Sequence, residues 1–143
     1  MTTANTTTTS AATSALPRAV VGGIAGGIVF GMLMQMMGMM PMVAQLVGST
    51  SAAVGWLVHL AISAIIGASY GVLLAPRAGS RAAGIGLGVG YGVVWWVLGA
   101  LIAMPARLGM PLFQINSTSL QSLMGHMIFG VVLGAVVAFA RRP

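Results

Sequence analysis

Apolar residues fall into four long runs, at residues 19–40, 52–75, 82–104 and 120–140. Each is close to the roughly 20 residues an α-helix needs to cross the hydrocarbon of a bilayer. Prolines, polar residues and charges collect between the runs, at 41–50, 76–81 and 105–118. The third run carries glycine at every second position from Gly84 to Gly92, a strand-like alternation. Its neighbours are apolar throughout and the run is too long for a strand, so length predicts a helix. Ser49, Thr50 or Ser51 is positioned to cap the second helix, and Asn116 to Ser119 supply caps for the fourth. The pattern predicts an all-α fold, an integral membrane four-helix bundle.

Small residues recur at a spacing of four inside these helices. Gly55, His59, Ser63, Gly67 and Gly71 form one stripe, and Ser122, His126, Gly130, Gly134 and Ala138 form a second. Gly22 with Gly26, then Gly23, Gly27 and Gly31, and finally Gly84, Gly88 and Gly92, give further ridges of the same kind. Ridges without side chains let two helix backbones approach closely in a membrane, so these positions are assigned to helix packing.

A glycine-rich helix, a Met-Pro connection and a histidine helix occur at 19–75 and again at 82–140. The chain therefore reads as two helical-hairpin repeats. Each contains two spans, so the halves are parallel and should be related by an axis along the membrane normal. This arrangement resembles small uncharacterised prokaryotic four-span membrane proteins with a glycine-rich first helix, a Met-Pro segment and a Gly-x-x-x-His helix. The resemblance covers about residues 18–142 and implies a fold but no activity.

Composition sharpens the picture. The 143 residues are 58% hydrophobic and only 4% charged, far from the balance of soluble domains. No Asp or Glu is present, which removes carboxylate acid–base pairs, carboxylate metal sites and acidic proton relays. With no Cys there are no disulfides or thiolate ligands. The net charge of +6 comes from arginines scattered at the ends of apolar runs, a pattern of membrane topology and not of nucleic-acid binding. Arg18, Arg77, Arg81, Arg141 and Arg142 lie on one side and Arg107 alone on the other. That bias places both termini in the cytoplasm and the protein in the cell (inner) membrane. Residues 1–17, rich in threonine and lacking a basic start, read as a disordered cytoplasmic tail before a membrane domain at 18–143.

His59 and His126 each stand eight residues into their helix, about 12 Å deep at 1.5 Å per residue. Both are expected near the membrane centre and neutral, because the chain offers no counterion. One reading makes them packing groups that bond a carbonyl or serine on a neighbouring helix. Another makes them joint ligands of a haem b, with glycines one turn away giving room for the macrocycle and Arg107 meeting a propionate. As separate packing groups they should contribute additively.

Met36, Met39, Met40 and Met42 crowd the outer half of the first helix; thioethers suit Cu(I), but methionine is also a flexible core filler. Trp95 and Trp96 lie in mid-span, where packing is the default and a cofactor wall the alternative. The function expected is a non-enzymatic structural or accessory subunit in a lipid bilayer, within a homo-oligomer or larger membrane complex. A haem- or metal-binding protein is the alternative, and a small transporter or channel a further one.

Overall fold

The computed structural model describes the backbone of residues 4–140 and the side chains of residues 15–140. Helix α1 spans Ala4–Met36, α2 Met40–Gln45, α3 Ala52–Leu73, α4 Arg81–Trp95, α5 Met104–Leu108 and α6 Ser117–Phe139. A π-helical segment, Trp96–Ala103, joins α4 to α5 without a break, so these three make one long third span. Among the described residues four stretches are long and apolar enough to cross a membrane: Ala15–Met36, Ala52–Arg77, Arg81–Leu108 and Ser117–Phe139. The molecule is an all-helical multi-pass bundle. Large apolar side chains such as Val21, Leu57 and Ile65 are left on its outer surface, as a lipid environment requires.

The element boundaries differ from the sequence expectation in three places. Helix α1 begins at Ala4, ahead of residue 18, and Ala15 and Ala19 are buried. The stretch at 4–17 therefore leads into the first span as helix and not as an unstructured tail, with Pro17 inside; residues 1–3 lie outside the described residues. At its other end α1 stops at Met36, because Gly38 turns the chain at φ +68° before α2 starts. The third span continues past Met104 to Leu108. Pro105 has no amide to donate within the helix, and just before it the Leu101 carbonyl accepts from the Phe113 amide at 3.0 Å. Gly109, at φ +68°, then ends α5.

Small residues decide how the helices meet. A Cβ on Gly23 of α1 would lie 2.8 Å from the Cα of Gly67 in α3, a separation no real side chain adopts. Between α4 and α6, a Cβ on Gly134 would come 2.9 Å from the Cα of Ile85. The other face of α1 meets α6, where Gly22 and Gly26 accommodate Leu133 and Phe129. Helix α1 is thus packed between α3 and α6. Helix α6 starts on a capping box: the Asn116 side chain accepts from the Ser119 amide, and the Ser119 hydroxyl accepts from the Asn116 amide, both at 2.9 Å. The N-cap of α3 is Ser51, whose side chain makes no capping bond.

At the end of the bundle near the termini, Tyr70 of α3 donates to the Gly84 carbonyl of α4 at 2.5 Å, and Ser69 bonds the Tyr91 hydroxyl at 2.5 Å. Arg18 reaches the Ala140 carbonyl at 3.0 Å and so satisfies an end group of α6. Arg141 and Arg142 lie outside the described residues.

Candidate functional site

Helix α3 and the third span are tied by these hydroxyl bonds at one end. Toward the other end a cavity of about 730 Å³ lies between them, walled by α1, α2 and α6. The third span contributes Trp95, Gly99, Ala103 and Arg107, again spaced by four. Two of these lie in the π-helical segment, whose wider turn keeps four-spaced residues closer to one line than an α-helix would. Helix α3 contributes His59, Ile62 and Ile66, and α6 contributes Thr118, Ser119, Ser122 and His126. Met34 of α1 with Met39, Met42, Val43 and Leu46 completes the apolar wall.

The wall is graded. Arg107, Gln114, Asn116 and Thr118, on the connections and the first turn of α6, are exposed and form its polar mouth. At the inner end Ile66 stands about two helical turns beyond His59 along α3. The imidazoles lie between, on opposite helices.

Both histidines face this cavity, and each uses one ring nitrogen on a backbone carbonyl. Nε2 of His59 lies 2.9 Å from the Gly27 oxygen on α1, and Nδ1 of His126 lies 2.8 Å from the Ser122 oxygen on its own helix. A carbonyl only accepts, so these nitrogens carry the protons. Nδ1 of His59 and Nε2 of His126 then carry the lone pairs, and neither has a hydrogen-bond partner among the described residues. Phe30 of α1 links the rings, edge-on to both, with centroids 5.5 Å from His59 and 4.7 Å from His126. Trp56 meets His59 edge-on as well and donates to the Gln35 side chain at 3.1 Å.

Apart from Ser122, the remaining members of the two stripes lie against neighbouring helices, away from the cavity. Gly55 abuts the Met40 carbonyl, Ser63 and Gly67 face Gly27 and Gly23, and Gly71 faces Ala19. On α6, Gly130 faces Gly88, while Gly134 and Ala138 face Gly84. Ser122 is buried and borders the cavity. Glycines one turn from the histidines therefore give room to neighbouring helices and not to a flat ring system. Any space for a ligand lies on the other side of the imidazoles.

The four methionines are not gathered into one set. Met36 is 84% exposed, whereas Met40 is fully enclosed under α3, so the two cannot share a coordination sphere. Met39 and Met42 do border the cavity. Among the described residues no group of three or more His, Cys, Asp or Glu side chains is placed to hold a metal ion.

Sequence reasoning left Gly99 and Ala103 unassigned and took Trp95 as packing by default. The signal was available in the spacing of Trp95, Gly99, Ala103 and Arg107, which runs along one side of the third span. Trp95 carries an indole N–H that is buried and finds no partner among the described residues. Arg107 is exposed at the cavity mouth, and the chain contains no carboxylate side chain to pair with it. No protein-family model matches the chain, and comparison with curated proteins and with solved structures yields no match.

Proposed function

We propose that this multi-pass membrane protein is a non-enzymatic accessory subunit that holds one lipophilic small molecule inside the bundle. The observation that carries this reading is the cavity of about 730 Å³ bordered by both mid-span histidines. Its size falls within the about 300–1,000 Å³ typical of small-molecule sites, and its mixture of apolar wall and few polar groups is typical as well. Two neutral imidazoles with free lone pairs ask for a ligand that brings N–H or O–H donors to mid-membrane depth. The arginine bias supports an orientation with both termini cytoplasmic and the cavity mouth on the opposite side.

Saturable binding of a neutral apolar dye, N-phenyl-1-naphthylamine, to the protein in phosphatidylcholine nanodiscs tests the reading. One site per chain is expected, lost in Gly99→Phe, because Gly99 borders the cavity and a Cβ added there meets no atom within 4 Å, so a ring can be built from it. Binding unchanged by that substitution would count against the cavity.

A tetrapyrrole held by both histidines is a second reading, favoured by one observation. Imidazoles that ligate metals almost always give their other N–H to a carbonyl or carboxylate, as His59 and His126 do here. A Soret band in the purified protein, lost in either His59→Ala or His126→Ala, is the expected sign; a colourless protein after growth with added haem would remove this reading.

A further inference from the structure

The charge distribution around the cavity narrows the class of ligand. Arg107 borders the mouth, and the protein has no Asp or Glu anywhere in its sequence. Its neighbours at the mouth, Gln114, Asn116, Thr118 and Ser119, are neutral and polar. The Asn116 and Ser119 side chains are already engaged in the capping box, and among the described residues that line the cavity Arg107 is the one with a permanently charged side chain. The rest of the lining is mostly apolar, Met104, Met42 and Leu46 among it, and includes the two imidazoles. A guanidinium at the entrance to an otherwise apolar chamber pairs best with a single anionic group, since its planar fork matches a carboxylate or phosphate.

We infer that the ligand is a monoanionic amphiphile drawn from the membrane, its anionic head at Arg107 and its apolar body running inward past His59 and His126. This rests on the ligand-binding reading above. The volume suits a single-chain molecule in place of a two-chain phospholipid, because it lies in the range of sites for one drug-sized ligand. A hydroxyl on the body then donates to one of the free imidazole nitrogens.

Competition against the neutral dye in phosphatidylcholine nanodiscs tests the charge assignment with a matched pair, 12-hydroxyoctadecanoic acid and its methyl ester. Both bring the hydroxyl, and only the acid brings the charge. In the wild type the acid should displace the dye at about tenfold lower concentration than the ester, the scale of one charge-assisted hydrogen bond. In Arg107→Gln that preference should fall below about threefold, while Arg107→Lys should keep most of it. Comparison across variants cancels any difference in how acid and ester partition into the lipid. An equal response of acid and ester in the wild type, or an undiminished preference in Arg107→Gln, would overturn the inference and leave the cavity reading intact. Absence of any dye binding to the wild type would instead overturn the cavity reading itself.

Discussion

The His59 ring reaches across a helix interface, its Nε2 donating to the Gly27 carbonyl at 2.9 Å, whereas His126 turns its Nδ1 back to Ser122 of its own helix. Two histidines at matching positions in their helices therefore do different structural work. Only His59 ties two spans together.

That asymmetry predicts unequal costs. His59→Ala should destabilise the solubilised protein by about 0.6–1.7 kcal/mol, the range measured for interhelical hydrogen bonds in membranes. His126→Ala should cost less, because an intrahelical bond is lost. The two costs should not add, since both rings pack edge-on against Phe30, and a coupling of about 0.5 kcal/mol or more is expected from residues sharing a neighbour. Strict additivity expected for separate packing groups gives way here to this shared contact. Equilibrium unfolding of both single variants and the double variant in mixed micelles measures the coupling.

Packing between α1 and α3 leaves no room for a methyl group at Gly23, whose added Cβ would sit 2.8 Å from the Gly67 Cα. Gly23→Ala should cost about 1–3 kcal/mol, the range for overpacking. Gly86, in whose vicinity a Cβ meets nothing within 4 Å, is the control, and Gly86→Ala should be neutral or stabilising by about 0.4–1 kcal/mol. Thermal unfolding of the two variants side by side should separate them in opposite directions.

The capping box at the start of α6 holds the rim of the cavity. Asn116→Ala should cost about 0.5–2 kcal/mol. Hydrogen exchange should accelerate over the first turn of α6, at 117–120, without change in the α1–α3 contact. Uniform loss of protection across the bundle would mean that the cap stabilises more than the rim.

Orientation is open to labelling with a membrane-impermeant thiol reagent in intact cells. Cysteine at Gly79 should be shielded, and cysteine at Thr50 or Ser117 should react. Reaction at Gly79 with shielding at Ser117 would reverse the assignment drawn from the arginines.

The four spans were legible because an apolar run of membrane length admits few alternatives. Which ridge meets which was not, since Gly23, Gly67, Gly88 and Gly130 carry the same signal and any pairing satisfies the same spacing. The continuation of the third span past Pro105 was hidden for another reason. It is accompanied by a bond from a distant amide, that of Phe113, to the Leu101 carbonyl, which no local spacing announces. The cavity is a property of how α3 and the third span sit against each other, since both line it. It lies beyond the hydroxyl ties at Ser69 and Tyr70, and no local pattern encodes that. Phe30, which touches both imidazoles, looked like one more apolar residue in an apolar helix.

Native mass spectrometry of the protein released directly from its membrane tests the central claim most directly. The account predicts one small molecule retained per wild-type chain and none on Gly99→Phe, with the two proteins equally stable. A wild-type chain that emerges bare under conditions preserving its fold, or an adduct that persists in Gly99→Phe, would contradict it.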